Sequence, residues 1–151
     1  MTTVYDVPAQ PLIERISSEM EDEDAVEPPE WTPFVRTGAH KERPPEQEGW
    51  WFTRTAAVLR KVYLEGPIGT ERLSTHFGGK RRSGSSPHHA VKGSRSIIRT
   101  ILQQLEEADL VEQTEGQSGR TVTPEGQSFL DNLAHDVQQD LADDRPELAK
   151  Y

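Results

Sequence analysis

The strongest constraint on this chain is an apolar stripe at helical spacing, Ile97, Ile98, Ile101, Leu102 and Leu105, introduced by Ser94 at the position of an N-cap. Such a stripe requires other elements packed over it, and its opposite face carries Arg95, Arg99 and Gln103, each one turn apart. Upstream, a helix is predicted from about Trp51 to Leu64, with Val58, Leu59, Val62 and Tyr63 on its apolar face and Trp51 and Phe52 as core at its start. The turn Gly66-Pro67-Ile68-Gly69 stops it. Thr70 is placed to cap a short helix whose Leu73 and Phe77 lie one turn apart, and Gly78-Gly79 ends that helix. Downstream, LVEQT and RTVT flank the polar turn EGQSG, the grammar of a β-hairpin. Thr123 then caps a last helix with Pro124 at its first position, packed through Phe129, Leu130, Leu133, Val137 and Leu141. Helix, short helix, helix, hairpin, helix is the order of a winged helix-turn-helix. A further helix over residues 7–20 is predicted from Asp6 as cap, Pro8 in the first turn and the spacing of Leu12, Ile13, Ile16 and Met20. The fold class is therefore mainly α: a winged helix-turn-helix core with a β-hairpin wing and extra flanking helices.

The 151 residues fit one domain. Residues 21–30 form an acidic connector ending at Pro28-Pro29, and residues 142–151 an acidic C-terminal tail expected to be flexible. Two stretches resist a regular element. Residues 31–49 are interrupted by Pro33, Gly38, Pro44 and Pro45, and long ordered loops of this kind are usually functional. The stretch KRRSGSSPHHAVKG reads as a basic Gly/Ser loop without apolar periodicity. There is no apolar run of about 18 residues and no basic-then-apolar start, so a soluble, cytoplasmic protein is expected. With no cysteine, disulfides and thiolate metal sites are excluded.

Charge is segregated along the chain. From Arg36 to Arg99 there are 13 Lys and Arg against five Asp and Glu, a formal charge of +8, whereas the remaining residues hold four cations and 21 acids, −17. Four of the five histidines and two of the three tryptophans lie in the basic stretch. A cationic block interleaved with aromatics is the footprint of a polyanion-binding surface. The acidic remainder suggests, as a hypothesis, a halophilic source, since at about 1 M salt the Debye length is only about 3 Å and distant acids barely repel a bound polyanion. A folded fraction unchanged between low and molar KCl would remove that reading.

Two segments are candidates for the site. Lys80, Arg81 and Arg82 sit on a glycine-rich backbone that can approach phosphates closely, with Ser83 to Ser86 as hydroxyl donors, His88 and Lys92 beyond them, and Arg95 and Arg99 near a helix N-terminus. In the other segment Arg36, Thr37, His40, Lys41 and Arg43 lie in the proline-braced loop ahead of Trp50, Trp51, Phe52 and Arg54. Trp31 and Trp50 are each free to pack in the core or to stack on an unpaired base. His76, His88 and His89 lack a carboxylate or cysteine at ligand spacing, so no metal or other cofactor is called. No nucleophile elbow, P-loop, catalytic carboxylate pair or dinucleotide fingerprint occurs, and an enzyme or a small-molecule substrate is not expected. The winged-helix grammar alone would suit a DNA-binding transcriptional regulator, but the cations lie mainly in loops and the second half of the Ser94 helix turns acidic. Loop-borne cations with aromatics suit irregular RNA. A protein-interaction module using the acidic face is the third class, and it predicts that the basic loops can be neutralised without effect.

The segments WTPFVRTGAHKERPP, WWFTRTAAVLRKVYLEGPIGTERLSTHFGG, SRSIIRTILQQLEEADLVEQ and GRTVTPEGQSFLDNLA resemble the small-subunit ribosomal protein nineteen-e family of archaea and eukaryotes, over roughly Trp31 to Ala134 in order. The resemblance implies a winged-helix-like protein that binds ribosomal RNA in the head of the small subunit, beside other small-subunit ribosomal proteins, and supports subunit maturation. Position by position it implies RNA contacts from Arg36, His40, Lys41, Arg54, Lys80, Arg81, His88, Arg95 and Arg99. The residue reading adds Arg82 and Lys92. The acidic termini differ from the basic tails of eukaryotic members, so no tail contacts are carried over.

Overall fold

A computed structural model describes residues 2–81, 84–116 and 118–150. A 3-10 turn, Val4–Asp6, precedes α1, Ala9–Glu21. Asp6 does not cap α1 as the sequence suggests. Its carboxylate accepts from Thr3 N at 2.8 Å and from the Thr3 hydroxyl at 3.2 Å, Val7 is extended, and Pro8 occupies the N-cap position. Leu12, Ile16 and Met20, four residues apart, are buried, and α1 packs along α2, Trp50–Glu65, and α5, Pro124–Asp144. Helix α2 buries Trp51, Ala56, Val58, Leu59 and Val62. The Tyr63 hydroxyl donates to Asp131 Oδ1 on α5 at 2.7 Å, and burial together with that acceptor raises the phenol pKa to about 12.

Helix α3, Thr70–His76, has Gly69 at its N-cap with no side-chain cap bond, so Thr70 is the first helical residue and not the cap. Helix α4, Arg95–Glu107, follows the sequence reading closely. Ser94 Oγ accepts from Ile97 N at 3.3 Å, and the five stripe residues are each at most 1% exposed. Burying each is worth about 1.5–3 kcal/mol relative to leaving it in water. The helix ends with Asp109 in the left-handed region, φ 61°, while Leu110 N donates to Leu105 O and Asp109 N to Glu106 O, both at 3.0 Å.

The wing is the antiparallel pair β3, Val111–Gln113, and β4, Arg120–Val122, with Val111 opposite Val122. Ile68, in the α2–α3 turn, adds a one-residue third strand. It exchanges two backbone hydrogen bonds with Arg120, at 3.1 and 2.9 Å. Gly119 permits this approach, because it holds φ 103° and a Cβ there would lie 2.6 Å from the Ile68 carbonyl carbon. Arg120 also pairs with Glu106 of α4. Thr123 Oγ1 accepts from Gly126 N at 3.0 Å, so Thr123 caps α5 as read, and it donates to Asp109 O at 2.7 Å.

A second hairpin stands where the sequence suggests only a loop. β1, Gly79–Arg81, pairs with β2, His89–Val91, placing Lys80 opposite Ala90 and Arg81 opposite His89. Its side chains are exposed apart from half-buried positions at Gly79 and Val91, so it has no apolar alternation for a sequence to display. The result is a mainly α protein in which α2, α3, α4 and the β3–β4 wing form the winged-helix core and α1 and α5 flank it. The acidic segment is anchored to that core. Val26 is buried, and Gln104 accepts from the Trp51 indole N–H at 2.9 Å while donating to Glu27 O at 2.7 Å. At the C-terminal end α5 continues to Asp144, followed by a 3-10 turn over Pro146–Lys150.

Candidate nucleic-acid interface

The two basic segments, about 40 residues apart in sequence, meet through backbone contacts. The loop after the 3-10 turn Thr32–Phe34 carries buried Thr37, whose carbonyl accepts from Ser94 N at 2.9 Å, and Gly38, which bridges to Gly93. Gly93 N in turn donates to Ser74 O at 2.7 Å. The N-cap of α4, the end of β2 and the proline-braced loop are thereby fixed together.

His40 fills the space between them. A Cβ on Gly38 would fall 2.6 Å from its Cε1, and one on Gly79 would fall 2.7 Å from its Cδ2, so the imidazole rests against bare backbone on both sides. Its Nδ1 is buried without a hydrogen-bond partner. Burial first, then the charges of Lys41 and Arg54, lower its pKa from 6.5, so the ring is neutral at neutral pH. His40 thus seats the loop on the β1–β2 hairpin. Arg36, Lys41, Lys80, Arg81 and His88 surround it, lining a depression of about 400 Å³ with Ala39 and Glu42. Arg36 Nη1 also donates to Lys41 O at 3.0 Å, which holds the turn between them.

A second cleft, of about 370 Å³, shares Lys41 and lies between the proline-braced loop and α2. Thr37, Arg43, Pro44, Pro45, Glu46, Gln47, Trp50, Thr53, Arg54 and Ala57 complete its lining. The Arg54 guanidinium is half-buried and lies 4.7 Å over the Phe77 ring. Burial lowers its pKa from the ordinary guanidinium value, and no carboxylate among the described residues pairs with it.

The candidate residues divide on inspection. Arg36, His40, Lys41, Lys80, Arg81 and His88 converge, and Arg54 adjoins them through the shared Lys41. Lys92 and Arg95 differ, because Glu71 of α3 lies 2.6 Å from Lys92 Nζ and 3.6 Å from Arg95 Nη2. The Lys92 hydrogen bond and the two positive charges hold the Glu71 carboxyl below the usual carboxylate range. Arg99 is exposed one turn beyond Arg95. Arg82 lies outside the described residues, as does Ser83. Of the tryptophans left open, Trp31 packs edge-on against Trp51 at 5.6 Å, whereas Trp50 both packs on Trp51 and lines the cleft. Phe77, which the sequence places only one turn from Leu73 in a short helix, forms the platform under Arg54, and Phe34, inside the proline-braced loop, is 82% exposed. Among the described residues no group of three His, Asp or Glu is placed to hold a metal ion, and no helix is long and apolar enough to cross a membrane.

The family model for ribosomal protein S19e matches residues 3–140. Three relatives are each named small ribosomal subunit protein eS19, and each alignment covers all of this chain and 99% of the relative. The relative from Haloarcula marismortui is 47% identical, that from Aeropyrum pernix 44% and that from Thermoplasma volcanium 41%. A match of this extent and identity takes in both basic segments, the cleft and the flanking helices alike: the chain belongs to the ribosomal protein S19e family.

Proposed function

We propose that this chain is a structural constituent of the small ribosomal subunit, located on the cytoplasmic ribosome, where it binds ribosomal RNA in the subunit head and supports subunit maturation. The full-length likeness to proteins named for that subunit supports the ribosomal role, and the family is not an enzyme class. The observation that carries RNA binding is the junction of the two cationic segments around His40. Arg36, Lys41, Lys80 and Arg81 there line a depression whose one acid is Glu42, and loop- and hairpin-borne cations of this kind suit the backbone of irregular RNA. His88 lines the same depression, Arg54 adjoins it through Lys41, and Arg99 and, in sequence, Arg82 add further cations. Lys92 and Arg95 contribute after the RNA displaces Glu71. The helical core holds these groups at fixed spacing, and catalysis has no part in the role. Other small-subunit ribosomal proteins are the remaining partners.

The test is sedimentation of a lysate through magnesium-containing, high-salt gradients with detection by mass spectrometry. The wild-type chain is expected in stoichiometric amount with the small subunit. Arg81→Glu should leave its circular dichroism and melting unchanged while moving the chain to the top of the gradient. Normal incorporation of that variant would overturn the assigned surface, and absence of the wild-type chain from the subunit would overturn the role.

A further inference from the structure

The cleft between the proline-braced loop and α2 has a composition that the electrostatics of the fold leave incomplete. Its lining contains Lys41, Arg43 and Arg54 against one carboxylate, Glu46, and among the described residues none of the three cations is in an ion pair. Arg54 is the most demanding of them. A half-buried guanidinium held over Phe77 has lost part of its water and gained no counterion. Its planar fork is suited to two parallel hydrogen bonds with one phosphate group. The other walls are of a different kind. Pro44 and Pro45 offer rigid apolar surface, and Trp50 offers an aromatic one at the first turn of α2. The indole is fixed there by its edge contact with Trp51, 5.6 Å between ring centroids, so stacking on it costs little side-chain freedom. At about 370 Å³ the cleft is within the range of about 300–1,000 Å³ that takes small organic ligands, and it opens beside the cationic surface through Lys41.

We infer that this cleft holds a single unpaired nucleotide extruded from the bound RNA, with its base against Trp50 and the proline wall and its phosphate on Arg54, supported by Arg43 and Lys41. The assignment rests on the proposed RNA-binding function and adds a recognition element to it. The cationic surface around His40 follows backbone and accepts any suitably curved polyanion, whereas a base-sized cleft admits RNA only where one nucleotide leaves the stack. Glu46 and Gln47 on the cleft wall supply acceptors for exocyclic amino groups, and Gln47 also supplies a donor.

The test is base-specific chemical probing of deproteinised small-subunit ribosomal RNA, in magnesium, with and without the full chain. The wild-type protein should protect a backbone footprint and, within or beside it, one unpaired base. Trp50→Ala should restore that base to full reactivity, keep the rest of the footprint, and weaken binding by about 5- to 150-fold, the range of losing one base–aromatic stack. Trp50→Phe should retain protection, which separates loss of stacking from loss of fold, and Arg54→Lys should weaken it because an ammonium lacks the planar fork. A footprint with no base whose reactivity depends on Trp50 would overturn the nucleotide site and leave the parent function standing. No footprint with the wild-type chain would overturn both. Saturable binding of free nucleoside 5′-monophosphates at Trp50, with no RNA base protected, would reassign the cleft to a small molecule and also overturn it.

Discussion

The β1–β2 and β3–β4 hairpins share a size and a pairing, three residues a strand in antiparallel register, but differ in what lies beneath them. β3–β4 stands on the core: Val111 is buried, Ile68 extends the ladder, Arg120 pairs with Glu106, and Thr123 leads directly into α5. β1–β2 has no buried side chain. It is held through backbone, by its own ladder, by the contact of Gly79 with His40 and by the hydrogen bond from Gly93 to Ser74 just beyond β2. Buried Val111 and the half-buried residues of β4 tie the wing to the core, whereas the hairpin supported through backbone leaves Lys80 and Arg81 exposed.

That contrast can be broken at several points. The largest effect is expected at the wing: Ile68→Ala, at a side chain 1% exposed, should cost about 2–5 kcal/mol in urea unfolding, and a loss below about 1 kcal/mol would show that the wing is not core-supported. Gly119→Ala should cost about 1–3 kcal/mol, since it combines φ 103° with a Cβ forced against the Ile68 carbonyl. Its melting temperature, compared with wild type, decides this. In the other hairpin Arg81→Ala should change stability by no more than about 0.5 kcal/mol. The same variant should weaken RNA binding and lower the slope of log affinity against log salt by about 1, which a filter-binding salt series measures. A change in stability without a change in slope would reverse the roles assigned to the hairpins. The smallest effect is a pH dependence at the junction. Since the folded state lowers the His40 pKa, its contribution is complete above about pH 6.5, the unfolded value, and declines as pH falls toward the lowered folded value. An NMR titration should place the His40 midpoint below 6.5. A midpoint at or above it would mean that the ring is not seated between Gly38 and Gly79.

The same contrast explains what could be read from sequence. The α4 stripe, the β3–β4 wing and the Thr123-Pro124 start of α5 were legible because buried faces impose periodicity and caps impose local chemistry. β1–β2 was not, because strands exposed on both faces carry no alternation. Asp6 and Thr70 looked like caps by residue type, yet an available carboxylate or hydroxyl does not decide which amide it meets. The basic surface was legible as composition, but its division was not. Glu71 meets Lys92 across 21 positions, Arg54 lies over Phe77 across 23, and only the fold supplies those distances.

The Gln104 side chain has a consequence for how this acidic chain can vary. Its amide must present oxygen to the Trp51 indole and nitrogen to the Glu27 carbonyl, so it is fixed in one orientation by neighbours of opposite hydrogen-bonding sense. A glutamate has the same shape and, when ionised, cannot donate, so it would leave the Glu27 carbonyl facing another oxygen. In a protein with 26 acidic residues, a neutral amide is thereby required at the point where its acidic segment is tied to its core.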